Sequence, residues 1–234
     1  MVCIYLFVAC LAACNQLESS SGHALQPWTH HWLQSNAPCR APCWEGITPG
    51  QTELAQASTL LMHNALIQST TIFTSPVAPD KSEIDWRWGN GTLGGRAFYN
   101  AQNPPHIIQF LQVNYPDTFS LQQVIGTYGD PSHIIAMQAG GFPGESRASQ
   151  IDQRIWVVYL DKGLLLGVDS HQGWDIRPDL PLSTPTFFTP GIAHFTAFFD
   201  QTSNHVLVPW QGYHDFAFYC RAGSENSACR TDAH

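Results

Sequence analysis

The sequence predicts an α+β protein: two helix-led units with antiparallel sheet, set behind a cleaved signal and a flexible tether. Three observations lead there. Hydrophobic residues make up 44% of the chain and charged residues only 12%, a balance that supports a buried core and argues against disorder. Thr52 precedes Leu54, Ala57, Leu61 and Ala65 at helical spacing, and Ser120 with Gln123 forms a capping box ahead of a second helix. Each helix is followed by short apolar runs that alternate with polar residues, the period of half-buried strands.

The N-terminus carries an address. Residues 1–13 contain no charged side chain and are almost wholly apolar. That is the length of a signal-peptide core and short of the about 20 residues a membrane-spanning helix needs. They end in Leu11-Ala12-Ala13-Cys14, which resembles the cleavage-and-lipidation box of a bacterial lipoprotein. The resemblance implies removal of residues 1–13, acylation of Cys14, and attachment to a membrane on the extracytoplasmic side of the cell envelope. Cys10, after Phe7-Val8-Ala9, is a second candidate, and the alternatives are an ordinary secretory signal or a buried N-terminal strand with incidental cysteines. No Lys or Arg precedes the apolar run. The polar stretch from Asn15 reads as a tether over residues 14–36. Residues 37–234 then form a single globular region with units 37–115 and 116–234.

Seven cysteines become an even set once the leader is set aside. Cys3 and Cys10 leave with it, Cys14 takes the lipid, and Cys39, Cys43, Cys220 and Cys229 remain. In an exported protein four cysteines read as two disulfides. Three connectivities are open; the local pairs Cys39–Cys43 and Cys220–Cys229 are favoured. The rival is a zinc site of four thiolates, but C-x3-C and C-x8-C fit the C-x2-C spacing of zinc ribbons poorly.

In the first unit, Pro42-Cys43-Trp44-Glu45-Gly46-Ile47-Thr48-Pro49-Gly50-Gln51-Thr52 leads into the helix, with Thr52 as N-cap or Thr48 and Gln51 as a capping box. Ile84-Asp85-Trp86-Arg87-Trp88 alternates as a strand, Asn90-Gly91 reads as a turn and 106–113 as a further strand. In the second unit Phe119 and Val124 staple the capping box, and Gly129 and Pro131 stop the helix. Strands are expected over 133–138, 155–160 and 164–168, the last two flanking the turn Asp161-Lys162-Gly163. Residues 170–190 read as a Pro-rich connection. Ala193, Phe195, Ala197 and Phe199 alternate as a strand, although Thr189-Pro190 could open a helix. Residues 209–220 read as a C-terminal strand.

This helix, Gly-x-Pro stop and three-strand order resembles outer-membrane assembly lipoproteins of the SmpA/OmlA type and the β-lactamase-inhibitory-protein fold. The matching residues are Gly46-Ile47-Thr48 with Thr52, and Phe119-Ser120-Leu121 with Gly129-Asp130-Pro131. The 42–52 motif is also similar to a run in uncharacterised bacterial lipoproteins. Neither resemblance carries a catalytic residue, and the first unit has no Gly-x-Pro stop.

The formal charge of −8 and the lack of a Lys/Arg cluster argue against nucleic-acid binding. Eleven histidines include no His-Glu-x-x-His and no His-x-His, and there is no Gly-x-Ser-x-Gly elbow. No cofactor is implied. Gly89-Asn90-Gly91-Thr92-Leu93-Gly94-Gly95 lacks the lysine and following helix of a phosphate loop and reads as a hairpin. Ile84, Trp86 and Trp88 share one strand face, read first as core; the functional alternative is that Trp86 and Trp88 form an aromatic face for a protein, peptide or glycan. The favoured reading is a non-enzymatic binding or assembly module of the envelope. The alternative is a hydrolase or metal-dependent enzyme using His194, His205, His214 and Asp215.

Overall fold

Each half of the chain opens with a short helix and continues as an antiparallel meander. The computed structural model describes residues 31–34, 39–74, 81–102, 104–139, 152–168, 175–199 and 207–222. Helix α1 (Leu54–His63) leads into β1 (Ile67–Thr74), β2 (Lys81–Trp88), β3 (Leu93–Asn100) and β4 (Ile108–Val113). The two-residue strand β5 (Phe119–Ser120) and helix α2 (Leu121–Tyr128) lead into β6 (His133–Ala139), β7 (Asp152–Tyr159), β8 (Leu164–Val168) and β9 (Pro181–Phe188). Helix α3 (Ile192–Phe199), β10 (Val208–Pro209) and helix α4 (Phe216–Ala222) follow.

The ten strands among the described residues belong to one sheet, in the order β1-β2-β3-β4-β9-β8-β7-β6-β10 with β5 also on β9. The two meanders join through their last strands, Phe110 opposite Phe188 and Leu111 opposite Phe187. The fold is α+β and rich in sheet. Its order differs from the expected three strands per unit: each helix is followed by four.

Local chemistry explains the helix boundaries. The Ser120 side chain accepts from the Gln123 N–H at 3.2 Å and Gln123 Oε1 accepts from the Ser120 N–H at 2.7 Å. This is the expected reciprocal box, and it satisfies two amides the helix leaves unpaired. Gly129, at φ 79°, ends α2. Helix α1 is different. Its N-cap is Glu53, with no side-chain cap bond. Thr52 instead accepts the Thr48 N–H on its hydroxyl at 2.8 Å, so it closes the preceding turn and not the helix.

Three expectations are corrected. Residues 193–199 lie in helix α3, because Thr189-Pro190-Gly191 ends β9 and Phe195 N–H reaches back to the Gly191 carbonyl at 3.1 Å. The 209–220 segment is a two-residue strand and helix α4, whose first turn is capped by Asp215 Oδ1 accepting from Phe218 N–H at 2.7 Å. The 170–190 connection contains β9, which pairs with β4, β5 and β8.

The sheet has two unlike sides. On the inner side Ile84, Trp86, Trp88, Leu111, Val157, Leu166 and Phe187 form one core with Ala57 and Leu61 of α1 and Leu121 and Val124 of α2. On the outer side a smaller cluster of Ile135, Val158, Leu165 and Phe188 is covered by Phe195 of α3. Burying each valine, leucine, isoleucine or phenylalanine among them stabilises by about 1.5–3 kcal/mol.

Candidate binding surface

The aromatic residues singled out in the sequence lie inside. Trp86 and Trp88 are 0% and 1% exposed, so they do not form an open binding face. Alternation turns both indoles toward the helices, and Trp44 closes over them. Trp44 stacks on Trp86 with centroids 5.4 Å apart, while Trp88 stacks on Tyr115 at 6.1 Å. Two of the three indole N–H groups are satisfied locally: Trp44 Nε1 donates to the Tyr115 hydroxyl at 2.9 Å, and Trp88 Nε1 to the Asn114 carbonyl at 2.7 Å, whereas Trp86 Nε1 is buried with no hydrogen-bond partner. Gly94 and Gly95 make the space. A Cβ at Gly94 would collide with the Trp86 indole, and one at Gly95 with that indole and the Gln112 carbonyl. Close approach accounts for this glycine pair inside a strand.

The 42–52 motif is a clasp that delivers Trp44. Trp44 and Ile47 exchange backbone bonds at 2.9 and 2.8 Å across a turn in which Glu45 and Gly46 hold φ 49° and 85°. Cys39 and Cys43 form the expected disulfide beside it. Gly50 N–H donates to the Ile108 carbonyl at 2.7 Å and Ile108 N–H to the Thr52 carbonyl at 2.9 Å, pinning the motif to β4. Cys220 is also disulfide-bonded; Cys229, its expected partner, lies outside the described residues, as does Cys14.

The segment assigned to the tether is in part core. Trp32 is 2% exposed, edge-on to Phe119 at 5.2 Å and Phe187 at 5.8 Å. The Tyr128 hydroxyl donates to the Trp32 carbonyl at 2.7 Å, and the Thr127 hydroxyl to that of Leu33 at 2.8 Å. An indole finds its apolar surroundings between α2 and β9, so the folded body starts before residue 37.

The histidines and Asp215 do not assemble. His194 is exposed on α3, on the outer side of the sheet, whereas His214 stacks on Phe218 at 3.9 Å beside α4, whose Tyr219 belongs to the inner core. Asp215 is occupied as the cap of α4. His205 lies outside the described residues. Ser132, next to His133, bonds the Val158 carbonyl and the Leu160 N–H. Among the described residues no three His, Cys, Asp or Glu side chains group as a metal would require. His133 lies on β6 with a shielded, unbonded Nδ1, and burial lowers its pKa. Burial likewise raises the phenols of Tyr115 and Tyr159.

What remains is the outer side of the first meander, where Arg87 is exposed and Glu83, Asp85, Arg96 and Gln112 are half-buried. Glu83, Asp85 and Arg87 alternate with the buried residues of β2, and the register sets Arg96 beside Asp85 and Gln112 beside Arg96. Arg96 lies 3.6 Å from Glu83 and 3.9 Å from Asp85. Asp85 Oδ1 accepts no hydrogen bond. Phe98 and Phe110, with centroids 5.1 Å apart, border this charged zone and continue through Phe188 to Phe195 at 5.5 Å. The buried residues of α1, α2 and α4 lie on the inner side, and α3 covers the second meander. Sequence reading could separate Asp85 and Arg87 from the tryptophans; Arg96 and Gln112 join them only through register. Comparison with protein families, curated proteins and solved structures finds no match. No described helix is long and apolar enough to cross a membrane.

Proposed function

We propose that this chain is a lipid-anchored, extracytoplasmic protein that works by binding another envelope component. The anchor rests on Leu11-Ala12-Ala13-Cys14 and the exported character of a disulfide-bearing chain. The binding role rests on one observation: the outer zone of Glu83, Asp85, Arg87, Arg96 and Gln112 beside an aromatic border. Paired charges held flat on a rigid sheet give orientation and partner choice more than raw affinity, while rings at the margin supply apolar contact. The fitting partner is a protein or peptide segment that offers an apolar anchor and both signs of charge. The resemblance to envelope assembly lipoproteins points the same way. The hydrolase reading is disfavoured by the placement of His194 and His214 on opposite sides of the sheet.

Two measurements test it. Labelled fatty acid should enter the native chain and be lost in Cys14→Ser, which should also leave the membrane fraction; an unlabelled native chain refutes the anchor. A photo-crosslinking residue at position 98 should yield a discrete adduct in intact envelopes, abolished by Asp85→Arg and kept by Gln122→Arg on exposed α2. An adduct indifferent to Asp85→Arg refutes the binding zone.

A further inference from the structure

We infer that β1 is a self-pairing edge, through which a second copy of this chain adds to the sheet. Strand β1 is hydrogen-bonded to β2 on one side, and among the described residues no strand pairs with its other side. An open edge of this length is a template for another strand, and proteins usually blunt it with lysine, proline or short length. The opposite edge of this sheet is blunted by a short strand and a helix: β10, two residues long and ending in Pro209, pairs with His133 and Ile134 of β6, and α4 packs against β6. Strand β1 is neither short nor broken by proline. Its eight residues, Ile67-Gln68-Ser69-Thr70-Thr71-Ile72-Phe73-Thr74, contain no charge and no proline. Only the bulge between Ile67 and Ser69 interrupts it, at one end.

The absence of charge selects the occupant. When a strand pairs with its own copy about a two-fold axis, residues near the axis face themselves or their near neighbours. Any charge there meets its like, which is unfavourable. The neighbouring β2 carries Lys81, Glu83, Asp85 and Arg87 and would be a poor self-partner; β1 meets no such penalty. The chain already contains one junction of this kind, since β4 and β9, both uncharged, join two helix-and-meander halves antiparallel. Apolar surface lies at the same place. Met62 on α1, which packs against β1, is 64% exposed, and Leu66, just before β1, is 49% exposed. One open edge and one blunted edge give a closed pair and not a filament. A strand edge with two apolar side chains lies at the small end of specific interfaces, so association at micromolar concentration is expected.

The test is sedimentation velocity on the full chain in mild detergent, from about 1 to about 100 µM. Dimer should form across that range. Ser69→Lys with Thr71→Lys, both at exposed positions, should weaken it at least about tenfold, and so should Ser69→Glu with Thr71→Glu. Mixing the two variants should restore a heterodimer, which a merely unfolded variant could not do; circular dichroism confirms the fold of each. A wild-type chain monomeric throughout overturns the inference, as does a dimer that survives in both variants. A monomer that binds an extended peptide along β1 overturns it too, by giving the edge to a different partner.

Discussion

Replacing Trp44 with alanine measures how much of the first meander depends on the 42–52 clasp. Trp44 is 2% exposed and a tryptophan buries roughly 150–250 Å². At about 25 cal/mol per Å² this corresponds to roughly 4–6 kcal/mol. Compactness of the unfolded chain and the retained Cβ reduce it to about 3–4. The lost bond to Tyr115 adds about 1 kcal/mol, because that hydroxyl keeps its burial and loses a donor. The expected loss is thus about 4 kcal/mol, within the roughly 3–5 kcal/mol range for tryptophan truncations. Measured by urea unfolding under non-reducing conditions, it should lower the midpoint; a thermal scan should fall by about 8–16 °C for a chain of this size. Trp44→Phe keeps a stacking ring over Trp86 and should recover more than half of the loss. A Trp44→Ala change below about 1 kcal/mol, in the range of ordinary surface substitutions, would refute the clasp.

Other consequences can be checked on the same protein. Gly95→Ala should destabilise by about 1–3 kcal/mol, read as a lower urea midpoint, since the added methyl meets the Trp86 ring and the Gln112 carbonyl; Gly126→Ala, with open space around it, is the control and should not destabilise. Ser120→Ala should cost about 1 kcal/mol in the same assay, through loss of the capping box. Burial lowers the His133 pKa, so both states are neutral well above pH about 6.5. Below that the unfolded chain takes the proton first, and stability falls until the folded group also protonates. The fall between pH 7.5 and pH 5 should shrink in His133→Gln, and an unchanged pH profile would count against it. Burial raises Tyr115, Tyr128, Tyr159 and Tyr219, so stability should decline above pH about 10 as the unfolded phenols ionise first; ultraviolet titration of the folded chain should show these four phenols ionising late.

Legibility in the sequence followed the range of the determining interactions. The Ser120–Gln123 box and the Gly129 stop are contained in a few residues, and α2 has the bounds its sequence predicts. Strand β9 was hidden by Pro181 and Pro185. The first opens the strand, and the second sits where the register with β8 shifts, next to Thr184 at φ 48°, a place where proline is tolerated. Strand β3 was obscured by Gly94-Gly95, whose reason is a neighbouring indole. Helix α3 was ambiguous because Phe195 and Phe199 fit both the two-residue and the four-residue period. Trp86 and Trp88 were correctly placed on one face, but periodicity cannot say whether a face is roofed. The roof is Trp44, some forty residues earlier and invisible to local patterning. The charged zone is half legible: Asp85 and Arg87 are neighbours in sequence, whereas Arg96 arrives by pairing.

The junction between β4 and β9 also has a consequence in time. The first meander is built from neighbours in sequence and can close as soon as its own residues are available. Strand β9 is made last of the eight meander strands, yet it alone pairs with β4, β5 and β8. A chain delivered N-terminus first therefore carries β4 as a bare edge until nearly the whole second half has arrived. That interval is when mispairing threatens, and it ends in a single zipping event. Pulsed hydrogen exchange during refolding should find the amides shared by β4 and β9 protected after those shared by β2 and β3.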